Sequence, residues 1–177
     1  GKEDYADRKV LFLGRLGERK GSYDLLKAIP AVLQKVPDAH FYLGGDGDIA
    51  QSKKIIDENG LSDYVELLGW IRDAEREAYL KKCSTFILPS YHEGMPMSVL
   101  EAMSYGLATI STNVGGIPQI IENKINGVMI NAGNVTEIID SLVEILSDSK
   151  VRSKYGKAAY QTIREKYITF RIKLFSD

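Results

Sequence analysis

The sequence predicts an α/β domain with a six-stranded parallel sheet, doubly wound by helices on both of its faces. Three observations predict it. Short apolar runs alternate with longer segments of helical periodicity along the whole chain. The first of them, Val10-Leu11-Phe12-Leu13, is apolar at every position, as strands buried on both faces are. The 177 residues carry no internal repeat, low-complexity tract or linker, and suffice for one domain with a substantial core.

The elements follow in order. Val10-Leu11-Phe12-Leu13 is the first strand, and Gly14 to Gly21 is a glycine-rich basic loop. Ser22 is placed to N-cap a helix carrying Leu25, Leu26, Ile29, Val32, Leu33 and Val36 on one stripe, with Pro30 expected to kink it. Phe41-Tyr42-Leu43 is the second strand, ending in Gly44-Gly45-Asp46-Gly47. A helix from about Ile49 to Glu58 closes at Asn59-Gly60. Val65-Glu66-Leu67-Leu68 is the third strand, and Asp73 is positioned to cap a short helix to Lys82. Thr85-Phe86-Ile87-Leu88 is the fourth strand, stopped by Pro89; a polar loop then leads to a helix ending at Tyr105-Gly106. Ala108 to Ser111 is the fifth strand, and Pro118 fits the first position of a short helix after the loop Asn113 to Pro118. Gly127 to Ile130 is the sixth strand. Helices over Val135 to Leu146 and about Lys150 to Tyr167 follow, and the stretch Phe170 to Phe175 lacks an evident terminator.

Composition narrows the function classes. Apolar residues make up 44% and charged residues 27%, as in ordinary soluble domains. A net charge of −1 gives no reason to expect a nucleic-acid partner. The single cysteine, Cys83, excludes an internal disulfide, and two histidines without ligand spacing argue against a metal site. No apolar run reaches the ~20 residues of a membrane-spanning helix. The polar N-terminus, Gly1 to Tyr5, gives no sign of a signal peptide, and the chain reads as an excised piece of something longer.

Six strands in a doubly wound sheet commonly lie in the order 3-2-1-4-5-6, and ligands bind where strands 1 and 4 meet, outside their carboxyl ends. The loops leaving those strands, Gly14–Gly21 and Pro89–Met97, are also the most unusual in the sequence. In the first, Arg15 and Lys20 read as a phosphate clamp, with Gly14, Gly17 and Gly21 allowing backbone approach; a solvated basic loop is the alternative. In the second, Glu93 precedes Gly94 and Pro96 where the N–H groups of Gly94, Met95 and Met97 could face an anion at a helix start; a surface loop acid is the alternative. Glu101 has two readings. It completes the capping box Ser98-Val99-Leu100-Glu101, or the helix starts at Pro96 and Glu101 faces the pocket one turn in.

Other patterns read as structural. Gly45-Asp46-Gly47-Asp48-Ile49-Ala50 matches a dinucleotide fingerprint but follows the second strand rather than the first, so a tight strand-to-helix turn is preferred over an NAD site. Ser90, His92 and Glu93 have the residue types of a hydrolase triad but lie too close in sequence to converge. His40 reads as structural, Trp70 as packing, and Arg72 as a solvated side chain within reach of a bound base.

Together these motifs resemble the C-terminal donor-binding domain of retaining glycosyltransferases of the GT-B fold, glycosyltransferase family four. Phe12-Leu13-Gly14-Arg15-Leu16 with Lys20-Gly21 is similar to that family's phosphate-binding segment. Ser90 with Glu93-Gly94-Met95-Pro96 and Glu101-Ala102-Met103 is similar to its Glu-x7-Glu motif, and Gly106 to Thr112 with Gly115-Gly116-Ile117-Pro118 to the segment that follows. The resemblance covers nearly the whole chain. It implies a Rossmann-like domain forming one half of a GT-B enzyme. Arg15 and Lys20 would hold the donor diphosphate with Gly14 and the backbone of Gly94, Met95 and Met97. Glu93 would be the catalytic carboxylate beside the sugar, near Gly115 and Gly116. Glu101 would meet the ribose, and Trp70-Ile71-Arg72 the base. Gln119 stands where the family usually has Glu. The implied donor is a UDP-, GDP- or ADP-sugar, with no metal and no further cofactor. The implied enzyme is cytoplasmic, compatible with peripheral attachment to the inner face of a membrane. Its N-terminal acceptor domain is absent from this chain, which is therefore expected to bind donor without turning over. A non-catalytic nucleotide or sugar-phosphate binding module is the alternative.

Overall fold

A computed structural model of the chain describes residues 1–167, so the Phe170–Phe175 stretch lies outside the described residues. Six strands form one sheet: β1 (Lys9–Leu13), β2 (His40–Gly44), β3 (Val65–Gly69), β4 (Thr85–Leu88), β5 (Ala108–Thr112) and β6 (Val128–Ile130). Every pair is parallel, in the order β3-β2-β1-β4-β5-β6. Leu11 of β1 stands between Tyr42 of β2 and Phe86 of β4, so the first strand is central and the connections diverge from it. The central strands β4 and β5 are buried at every position, whereas β3 at the edge is buried only at Val65. This gradient fits the continuous apolar run Val10–Leu13 of the central β1 and the exposed Glu66 within the edge strand β3.

Six helices flank the sheet, the first four between successive strands and the last two after β6: α1 (Ser22–Lys35), α2 (Ile49–Glu58), α3 (Asp73–Lys82), α4 (Met97–Ser104), α5 (Val135–Ser147) and α6 (Ser149–Lys166). Helix α1 packs against α5, and α4 against α6. Helix α1 continues through Pro30, and Pro118 opens a single 3₁₀ turn, Ile117–Gln119. No helix among the described residues is long and apolar enough to cross a membrane.

Three expected caps do not form. Gly21, at φ 75°, takes the position ahead of α1, and the Ser22 hydroxyl turns back to accept from the Gly17 N–H at 2.8 Å. Ser22 therefore closes the glycine-rich loop instead of capping the helix. Asp73 is the first residue of α3, with φ 52°, and makes no capping bond. Pro96 precedes α4, its carbonyl accepting from Val99 and Leu100 at 3.1 and 3.2 Å, so the Ser98–Glu101 capping box is absent.

The loops at the carboxyl edge are seated on one another by backbone contact. A Cβ on Gly45 (φ 152°) would lie 1.8 Å from the Gly14 carbonyl oxygen, and one on Gly21 would lie 2.0 Å from that of Pro89. Only glycine permits either approach. The loop after β2 is also hydrogen-bonded to the loop after β1: Leu16 N–H donates to Asp46 O at 2.7 Å, and Asp48 N–H to Leu16 O at 3.1 Å.

At the opposite end Arg152 of α6, 2% exposed, anchors the segment entering β1. Its Nε and Nη2 donate to Tyr5 O at 3.0 and 2.7 Å, and Nη1 donates to Ile145 O and Leu146 O at 3.0 and 2.6 Å. The last two carbonyls end α5 and lack helical partners, so the cation satisfies them and opposes the helix dipole.

Three outcomes are expected. Arg152→Ala should destabilise the domain by about 3 kcal/mol in denaturant titration, because several buried acceptors lose their donor together. Gly45→Ala should cost about 1–3 kcal/mol, as overpacked sites do, and a melting temperature equal to wild type would contradict the close approach. Burial first, then the Asp7 carboxylate, push the buried Cys83 thiol from 9.0 up to about 12. The folded state keeps that proton where the unfolded chain releases it, so stability should fall as pH rises from 9.0 toward about 12. Cys83→Ala should flatten that part of the stability curve.

Candidate functional site

A cavity of about 340 Å³ opens at the carboxyl ends of the inner strands, at the β1–β4 junction. The end of β1 and its loop contribute Leu13, Gly14, Arg15 and Lys20; the end of β2 contributes Gly44, Gly45 and Asp46. Trp70 and Ile71 follow β3, and Arg76 lies in the first turns of α3. Glu93 and Met95 come from the loop after β4, and Met97 and Ser98 begin α4. A second cavity of about 260 Å³ adjoins it behind Arg15–Lys20 and Asp48. The two loops singled out in the sequence therefore do converge on one space.

Glu93 is the most enclosed charge there, with 6% of its side chain exposed. Its Oε1 accepts from Lys20 Nζ at 2.7 Å and from Ser90 Oγ at 2.6 Å. Burial of a carboxylate is tolerated because it is both paired and hydrogen-bonded. Side chains of β5 fix the backbone beneath it: Ser111 Oγ donates to Leu88 O at 2.7 Å, and Thr112 Oγ1 to Ser90 O at 2.6 Å. Tyr91 fastens this loop to the first one. Its N–H donates to Arg19 O at 2.9 Å and its hydroxyl to Asp24 of α1. The bond to Asp24, with burial second, pushes the Tyr91 phenol up to about 12.

The remaining predicted residues divide. Arg15 is 68% exposed and lies 3.3 Å from Asp46, a loose pair at the cavity wall. Trp70 is 65% exposed beside buried Ile71. Arg72, Gly94 and Glu101 are not among the lining residues, and neither are Gly115 and Gly116. The two glycines stand behind the Glu93–Gly94 segment: Gly116 N–H donates to Gly94 O at 2.9 Å, and a Cβ on Gly115 would lie 1.7 Å from Glu93 O. Glu101 turns neither to a cap nor directly into the cavity. Its Oε2 accepts from both Nε and Nη2 of Arg76. Ser90 donates to Glu93 and not to His92, so no triad is assembled.

Sequence reasoning missed Arg76, Asp46 and Ser98. Each sits where a strand of a doubly wound sheet hands over to its helix at the carboxyl edge, and that position is the available signal. The Gly45–Gly47 segment is the expected tight turn, and it also walls the cavity. Among the described residues no group of three or more His, Cys, Asp or Glu side chains is placed to hold a metal ion.

The family model of "Glycosyl transferases group 1" matches residues 2–162. The Escherichia coli UDP-Gal:alpha-D-GlcNAc-diphosphoundecaprenol alpha-1,3-galactosyltransferase is 33% identical over 141 residues, covering 77% of this chain and 36% of that protein. The crystal structure of the C-terminal domain of a glycosyl transferase group 1 family protein, LpcC of Francisella tularensis, is 28% identical with a TM-score of 0.83. It is covered over 90% of this chain and 85% of its own. The Anabaena HepE structure in complex with UDP-glucose shares the fold, with a TM-score of 0.82, 21% identity, and coverage of 96% of this chain and 48% of its own. The chain spans less than half the length of the curated relatives it matches. A match that runs through every strand and every loop of the carboxyl edge leaves one conclusion about kinship: the chain belongs to the glycosyl transferases of group 1.

Proposed function

We propose that this chain is the donor-binding half of a retaining GT-B glycosyltransferase, and that a nucleotide-diphosphate sugar occupies the cavity at the β1–β4 junction. The observation that carries the reading is the convergence of Arg15, Lys20, Glu93 and the start of α4 on that one space. The family match supports it.

In this reading the diphosphate lies between Arg15 and Lys20, over Gly14, with the first N–H groups of α4 at Met97 and Ser98 and the preceding Met95 facing it. A free helix N-terminus favours an anion there. Departure of the diphosphate leaves the electron pair of the broken bond on the phosphate oxygen that had been joined to the anomeric carbon, and Arg15 and Lys20 supply the positive field that lowers the barrier. Glu93 lies beside the sugar and stabilises the oxocarbenium-like state. Gly94, Gly115 and Gly116 act through the backbone they stack beneath it. Trp70 and Ile71 lie against the base, with Arg72 outside the contact, and Glu101 serves the ribose. No metal is assigned a step, because the two cations already sit on the leaving group.

The acceptor site belongs to an N-terminal domain outside this chain, so the chain alone binds donor without turnover. The full enzyme transfers a sugar to a glycan, lipid or small acceptor. A polyprenyl-linked acceptor, like that named for the Escherichia coli relative, would place it at the cytoplasmic face of a membrane as a peripheral protein.

Calorimetric titration with UDP, GDP and ADP tests the reading. At least one nucleotide should bind, and Lys20→Met should weaken it by about tenfold, the ~1.4 kcal/mol of one charge-assisted hydrogen bond. A folded chain that binds none of the three would remove the donor-site assignment.

A further inference from the structure

Arg76 is a charged lining residue to which neither the motifs nor the proposed chemistry gives a task. It stands in the first turns of α3, shares the cavity with Trp70 and Ser98, and has 29% of its side chain exposed. Glu101 has 17% exposed and is not among the lining residues. The pair therefore has a direction, with the guanidinium toward the cavity and the carboxylate behind it. Nε, at 2.7 Å, and Nη2 both donate to the one oxygen Oε2. That uses two of the five N–H groups of an arginine. The other three have no partner among the described residues, and neither does Oε1 of Glu101.

A stabilising role does not account for this arrangement. A partly exposed ion pair contributes little net stability, and the capping box that would have used Glu101 locally is not formed. The unused groups have a different complement. A sugar hydroxyl needs an acceptor for its proton and a donor for its lone pair. Arg76 with Glu101 presents one of each, side by side, at a cavity that Trp70, Arg15 and Lys20 also line. A nucleotide laid with its phosphates on those cations and its base toward Trp70 brings its pentose to this pair.

We propose that Arg76 joins Glu101, which the donor-site reading already assigns to the ribose, in recognising a ribose hydroxyl. Arg76 is the specificity-determining contact: its free N–H donates to the hydroxyl oxygen, and the hydroxyl donates to Oε1 of Glu101. The guanidinium also offsets the carboxylate charge, which would otherwise repel the diphosphate. This inference rests on the donor-site reading, and it assigns to Arg76 a direct role in distinguishing ribonucleotides from deoxyribonucleotides.

The test compares UDP with 2′-deoxy-UDP by calorimetry on the wild-type chain and on Arg76→Ala, Arg76→Lys and Glu101→Ala, each checked for folding by thermal melting. If GDP or ADP is the nucleotide bound, its 2′-deoxy form takes the same place. The wild-type chain should prefer the ribonucleotide by about tenfold, as loss of a hydrogen bond to charged groups gives. Arg76→Ala should lower ribonucleotide affinity by about the same factor while leaving the deoxy form within about twofold, so the preference disappears. Glu101→Ala should abolish it as well, and Arg76→Lys should retain part of it. A parallel fall for both nucleotides in Arg76→Ala, or an unchanged preference, overturns the inference while leaving the donor site standing. Absence of any nucleotide binding to the wild-type chain removes the donor-site reading itself, and this inference with it.

Discussion

The site depends on loops that touch backbone to backbone. At Gly21, Gly45 and Gly115 a methyl group would fall within 2.0 Å of a carbonyl oxygen of a neighbouring loop, at Pro89, Gly14 and Glu93 respectively. The loops after β1, β2, β4 and β5 are thus seated directly on one another, with no side chain between them. Contacts of this kind have little slack, because interiors are packed to crystalline density and a carbonyl cannot yield as a long side chain does. The result is a cleft whose shape is set by the sheet register: the four loops leave strands whose spacing is fixed by the parallel ladder, and the glycines let them close over it.

Charge is then arranged across those fixed loops. Each of three cations in the cavity lies against a carboxylate from a different segment: Arg15 against Asp46, Lys20 against Glu93, and Arg76 against Glu101. These pairs leave the cleft close to neutral, with no standing excess of positive charge. The pairs differ in how firmly they are held. Arg15 and Asp46 are 68% and 53% exposed at 3.3 Å, so water screens their attraction and Arg15 is readily drawn to an incoming anion. Lys20 and Glu93, at 26% and 6%, sit in a lower dielectric where the attraction is stronger and the cost of separating them larger. An anion entering the cleft meets a graded set of cations, the outermost of which is the most available.

Much of this was legible in the sequence. Short, mostly apolar runs set between segments of helical periodicity identified the strands, because the inner strands are buried on both faces. The strand order followed from a common topology, and it brought Arg15, Lys20 and Glu93 together correctly. The errors have a common physical origin. Ser22, Asp73 and Ser98 have the residue types of helix caps, but each stands inside its helix and not ahead of it: α1 and α3 begin at Ser22 and Asp73 themselves, and α4 begins at Met97 behind Pro96. The glycines were visible, but which carbonyl each would meet is a long-range fact. Arg76 carries no motif, and its pairing with Glu101 depends on α3 and α4 arriving at adjacent edges of the sheet.

Under the proposed function, the hydrogen bond from Ser90 acquires a purpose that the Lys20–Glu93 pair alone would not explain. A buried carboxylate that loses its only partner is strongly destabilised. If Lys20 were the sole donor to Glu93, drawing it toward a phosphate would leave Glu93 orphaned, and the cost would be subtracted from donor affinity. Ser90 Oγ already donates to the same oxygen at 2.6 Å, and the Ser90 carbonyl is itself fixed by Thr112. Glu93 therefore stays solvated by the protein when Lys20 turns away. At that moment its charge is no longer neutralised by the lysine, and its field falls on whatever occupies the sugar end of the cavity. In that reading the hydrogen bonds from Ser90 and Thr112 that hold Glu93 in place would let Lys20 and Glu93 act separately, one on the leaving diphosphate and one on the sugar.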